Sequence, residues 1–134
     1  MFLSELKDEQ KDLFLDLGIH LSMSDGEFTK TEKNTICQMC KEMGIDERLE
    51  QNVDFDTALS RLGKNATVRE KRIVLLEIAG VVMADEVYSS EEKAEVKKIS
   101  DALGVDYSHC EDAISLVKDL FVVYSKIGNF LSNK

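Results

Sequence analysis

The strongest constraint on the fold is that the chain repeats itself. Residues 21–46, LSMSDGEFTKTEKNTICQMCKEMGID, lie over residues 81–106, VVMADEVYSSEEKAEVKKISDALGVD, at an offset of 60 with no gap. Six of the 26 positions are identical: Met23/Met83, Asp25/Asp85, Glu32/Glu92, Lys33/Lys93, Gly44/Gly104 and Asp46/Asp106. Phe28/Tyr88, Ile36/Val96, Met39/Ile99 and Met43/Leu103 keep their apolar character. Each copy reads as the end of one helix, an acidic turn, and a second amphipathic helix closed by glycine. An array would need at least three units. The two halves are therefore expected to pack about a pseudo-two-fold axis around a single core.

The remaining chain supplies further helices. Apolar residues recur at helical spacing from Phe2 through Leu13, Leu17 and Leu21, ahead of the first turn. TVREKRIVLLEIAGVVMAD, with Thr67 as N-cap, should form the central and most buried helix. Its β-branched residues would also suit a strand, but the run is too long for one. Helices are expected at about 90–103 and 107–131. The more polar stretch around Leu49, Val53, Phe55, Leu59 and Leu62 reads as a connector with one or two short helices ending at Gly63. The expectation is a single all-α domain over residues 1–134, a compact bundle of about six or seven helices. Its repeat halves are 5–46 and 66–106, its connector is 47–65, and its C-terminal helix is 107–131. The 134 residues, 43% hydrophobic and without proline, suit such a fold and should bury roughly two-thirds of the unfolded surface.

A formal charge of −9 repels a phosphate backbone, and no basic stretch offsets it, so nucleic acid is not an expected partner. No apolar run approaches the ~20 residues needed to span a bilayer, and the start lacks a basic segment followed by an apolar one. Three cysteines without a secretion signal point to reduced thiols. The expected location is cytoplasmic, without membrane insertion.

The acidic turns carry the most chemistry. With Gly26 at the sixth place of a calcium loop, Phe28 falls on the eighth and Glu32 on the twelfth, but Leu21 and Met23 occupy the first and third, and Glu86 replaces the second glycine. A standard EF-hand is excluded. What remains is Asp-x₆-Glu twice. Thr29-x-x-Glu32 and Ser89-x-x-Glu92 also spell capping boxes, which would occupy the glutamates structurally. Asp25 and Asp85 sit where a helix ends and its dipole opposes a carboxylate, so an Asx-turn or a bound cation should offset that cost. Asp25, Glu32, Asp85 and Glu92, brought together, would repel one another unless protonated or bridged by a divalent ion. All-oxygen ligands favour calcium, with magnesium and zinc as alternatives. Glu27, Glu86 and Glu91 would add charge at the edge.

The repeated M-[SA]-D-x₆-E pattern, with its helix and closing Gly-[IV]-D, resembles the TerB-like tellurite-resistance family, in which an ADG-x₅-E signature occurs at two pseudo-symmetric positions. The resemblance runs from about Leu13 to Leu131. Ser24-Asp25-Gly26 with Glu32 is similar to the first family site, and Ala84-Asp85-Glu86 with Glu92 to the second. Ser24 departs from the family alanine and Glu86 from its glycine. The resemblance implies a compact helical protein with an acidic metal-binding surface, linked to tellurite resistance and stress response and without an established catalytic role. Similar domains stand beside DnaJ-like modules as interaction units.

Other chemistry is thin. Cys37-x-x-Cys40 with His109-Cys110 could compose a zinc or redox site, but the repeat aligns Cys40 with core-side Ser100 and Cys37 with solvent-side Lys97, so the thiols need not converge. His20 reads as a core-edge residue rather than a base. No Gly-rich phosphate loop, Gly-x-Ser-x-Gly or His-Glu-x-x-His occurs, so an enzyme is not expected. The alternative to a metal protein is an interaction module whose acidic face meets a basic protein, including one associated with a membrane. Val117, Leu120, Phe121, Tyr124 and Ile127 exceed what one core needs, which leaves either a monomer or a weak homodimer.

Overall fold

The computed structural model describes residues 1–24, 26–84 and 89–132. Among them are six α-helices and no strand: α1 Asp8–Ser22, α2 Lys30–Met43, α3 Phe55–Asn65, α4 Val68–Met83, α5 Ser90–Leu103 and α6 Tyr107–Leu131. A 3₁₀ turn at Leu3–Glu5 precedes them. The all-α expectation holds.

Local chemistry sets the boundaries. Thr29, Thr67 and Ser89 each accept the N–H three residues on, while Glu32, Glu70 and Glu92 reach back to the cap N–H. Each such cap is worth about 1 kcal/mol. Asp54 and Asp106 cap α3 and α6. At the other end, Gly44 (φ 70°) and Gly104 (φ 69°) take the left-handed conformation. The Ile45 N–H then reaches the Cys40 carbonyl at 3.0 Å and the Val105 N–H the Ser100 carbonyl at 3.0 Å, closing α2 and α5 alike.

Three sequence expectations change. The helix foreseen from Phe2 begins only at Asp8, because the Phe2 N–H donates to Glu77 Oε1 (2.8 Å) and the Leu3 N–H to Glu42 Oε2 (2.9 Å), pinning the first residues across α2 and α4. The most enclosed helix is α1 rather than α4. Every residue from Leu13 to Ile19 is buried, because α2, α3 and α4 surround that stretch, whereas Leu76 and Gly80 leave one side of α4 half-open.

The supposed connector contains α3, whose Phe55, Ala58, Leu59 and Leu62 are core residues facing α1 and α5. Nor does α3 stop at Gly63. It runs to Asn65, and a Cβ at Gly63 would lie 2.7 Å from the Ala102 carbonyl oxygen of α5. The glycine permits close helix packing; it does not end the helix. Ahead of α3, Arg48 fastens the irregular stretch to α1, donating from Nη1 to Asp16 Oδ1 (2.6 Å) and from Nη2 to the Asp12 carbonyl (3.0 Å).

Candidate functional site

The first acidic turn joins α1 to α2. The Met23 N–H still bonds the Ile19 carbonyl (3.1 Å), the Ser24 hydroxyl donates to the Leu21 carbonyl (2.8 Å), and the Gly26 N–H returns to the Met23 carbonyl (3.0 Å) with φ at 83°. This tight reversal requires the glycine that the motif reading singled out. Phe28 then packs against the core, with the Lys33 ammonium 5.6 Å from its ring centroid. Asp25, Asp85 and Glu86 lie outside the described residues.

Glu32 and Glu92 occupy matching positions in the first turns of α2 and α5. Glu32 Oε1 accepts from the Thr29 N–H and hydroxyl, both at 2.9 Å; Glu92 Oε1 accepts from the Ser89 N–H and hydroxyl, both at 3.2 Å. Both glutamates are half-buried, whereas Glu27 and Glu91 are exposed. The capping function foreseen for Glu32 and Glu92 is therefore present.

His20 links the two halves. Its Nε2 lies 3.2 Å from Glu95 Oε1, so the last turn of α1 touches α5 one helical turn, about 5 Å, beyond Glu92. The ring stacks on Phe55 at 4.1 Å, as a core-edge residue should, and Lys98 Nζ stands 5.2 Å from the same Phe55 ring. Motif reasoning missed Glu95, Phe55 and Lys98. Glu95 aligns with Thr35 in the repeat, so no pattern flagged it. Its Oε2 is buried and has no hydrogen-bond partner among the described residues.

A hard divalent cation takes six to eight oxygens, including several carboxylates. Capping engages one oxygen of Glu32 and one of Glu92, and carboxylate bridging through a second oxygen is compatible with that geometry. The donor types therefore fit calcium or magnesium. Among the described residues no group of three or more His, Cys, Asp or Glu side chains is placed to hold a metal.

The thiols do not form a site. Cys40 and Cys110 are buried, and Cys37 is half-buried on α2. Burial, followed by the negative charge of Glu47, pushes the Cys37 thiol up, away from thiolate reactivity. Burial likewise raises Cys110, opposed by its hydrogen bond with Ser100. No helix among the described residues is long and apolar enough to cross a membrane.

Comparison with curated proteins and with solved structures finds no match. Comparison with known families matches residues 46–115 to the family described as Tellurite resistance protein TerB. The matched span covers α3, α4, α5 and the first part of α6, including Asp85 and Glu92, while Asp25 and Glu32 lie outside it. It is shorter than the Leu13–Leu131 range suggested by the motifs. Covering more than half of the 134 residues, it shows that the chain belongs to the TerB tellurite-resistance family.

Proposed function

We propose that this TerB-family domain is a non-enzymatic protein that takes up a divalent cation, calcium foremost, at its paired acidic turns. Asp25, Glu32, Asp85 and Glu92 are the ligands, and the two repeat halves relate them by a pseudo-two-fold axis. The observation that carries the reading is the His20–Glu95 contact, which draws the end of α1, just ahead of Asp25, to within one helical turn of Glu92. The caps add preorganisation, since each glutamate is held by its own helix start before any ion arrives. Binding would relieve carboxylate repulsion and stabilise the fold in proportion to ion concentration. A role in tellurite resistance and stress response in the cytoplasm follows from the family.

The test is thermal melting of chelator-treated protein with and without calcium. A midpoint that rises with calcium, and does so neither with sodium nor in the Asp25→Asn/Asp85→Asn variant, supports the reading. An unchanged midpoint contradicts it.

A second reading is favoured by the capping itself, which gives Glu32 and Glu92 structural work without a metal. The exposed Glu27 and Glu91 would then belong to an acidic face that meets a basic partner protein. Association that weakens with salt and ignores calcium would distinguish it.

A further inference from the structure

Helix α6 continues well past its last buried side chain. Cys110, Ala113, Ile114 and Val117 are buried, Leu120 is half-buried, and every residue from Phe121 to Ser132 is exposed. Roughly 20 Å of helix therefore extends beyond the bundle. The extension is apolar: Phe130 is 83% exposed, Leu131 74% and Val123 50%. An uncovered helix of this length, rich in β-branched and aromatic residues, is marginal in water.

The residue order says what covers it. Leu116, Leu120, Val123, Ile127 and Phe130 are spaced by 4, 3, 4 and 3, the seam of a coiled coil. With Leu120 and Ile127 at a and Leu116, Val123 and Phe130 at d, Asp119 and Lys126 both fall at g. The e positions Val117, Tyr124 and Leu131 carry no charge. In a parallel pair g faces e, which would leave both charges unmatched. In an antiparallel pair g faces g, so Asp119 meets the partner's Lys126 twice by symmetry.

That register also places Leu116 against the partner's Ile127, Leu120 against the partner's Val123, and Ala113 against the partner's Phe130. Ala113 and Leu116 line a groove of about 320 Å³ between α4 and α6, together with Leu75 and Leu76. The small Ala113 leaves room for the ring where the register delivers it.

We propose that α6 is an antiparallel homodimerisation helix, with Phe130 of each copy seated in the α4–α6 groove of the other. The decisive experiment is light scattering on gel-filtered full chain, wild type against Asp119→Lys and Lys126→Asp, exposed changes whose folding is verified by circular dichroism. The wild type should run at twice 15.1 kDa. Each single variant should dimerise about tenfold more weakly, since two attractions become two repulsions. An equimolar mixture of the two variants, and the double variant alone, should regain wild-type affinity.

Dimerisation by the single variants as tight as wild type, or a mixture no tighter than its components, overturns the antiparallel register. A wild-type monomer at all concentrations overturns the proposal. If that monomer sediments with phosphatidylglycerol vesicles, the cover is a lipid surface instead.

Discussion

Replacing Arg48 by methionine isolates the one ion pair in which a carboxylate is fully enclosed. Asp16 is 1% exposed, and its Oδ1 accepts from Arg48 Nη1 at 2.6 Å and from the Asn52 N–H at 2.9 Å. The methionine keeps much of the aliphatic stem but leaves the carboxylate with a single amide donor. Removing one partner of a buried pair costs about 3–5 kcal/mol, because the remaining charge stays desolvated. The Arg48 side chain is 18% exposed, so water can enter after its loss, and the lower figure of about 3 kcal/mol applies. For 134 residues the unfolding entropy is about 0.28 kcal/mol per degree, so the midpoint should fall by about 10 °C. Asp16→Asn in the same chain removes the stranded charge and should restore about 2 kcal/mol, measured by urea denaturation of all four members of the cycle. A loss below about 1 kcal/mol for Arg48→Met, or strict additivity in the cycle, would refute the claim that this pair holds the irregular stretch onto α1.

Other changes have equally definite signs. Gly63→Ala should destabilise by about 1–2 kcal/mol in chemical denaturation, since its Cβ would meet the Ala102 carbonyl at 2.7 Å. Gly80→Ala, whose Cβ meets nothing within 4 Å, should instead stabilise by up to about 1 kcal/mol. The backbone N–H of Thr67, then the Gln10 amide, hold the Glu70 carboxyl below its ordinary 4.5. The folded state therefore binds fewer protons than the unfolded one below that value. Stability from Glu70 is complete above pH 4.5 and lost as pH falls through the folded value. Glu70→Gln should accordingly flatten the acid limb of a stability–pH curve and leave its slope above pH 5–6 unchanged, the range in which an unfolded glutamate is already ionised.

Much of the architecture could be read from local rules. The caps at Thr29, Thr67 and Ser89 and the stops at Gly44 and Gly104 depend on residues within one turn of each other, and all stand where their patterns place them. What escaped depends on distant partners. Gly63 looked like a stop because a helix-ending glycine and a close-packing glycine have the same spelling; only Ala102 tells them apart. The polar residues around Phe55, Leu59 and Leu62 disguised a core helix as a connector. The late start of α1 is set by Glu42 and Glu77, far along the chain from the amides they hold.

The acidic site shows the same division. The capping function of Glu32 and Glu92 was legible three residues away, and the glycine of the first turn by its motif. The contact that relates the two halves, His20 to Glu95, joins residues with no shared pattern and could come only from tertiary packing.

The paired acidic turns are tested most directly by calorimetric titration of metal-stripped protein with calcium, followed by the Asp25→Asn/Asp85→Asn variant. The account predicts saturable heat in the native chain, one ion for the paired turns, and none in the variant. Absence of heat in the native chain, or equal heat in both, would contradict it and leave the glutamates as helix caps on an acidic surface.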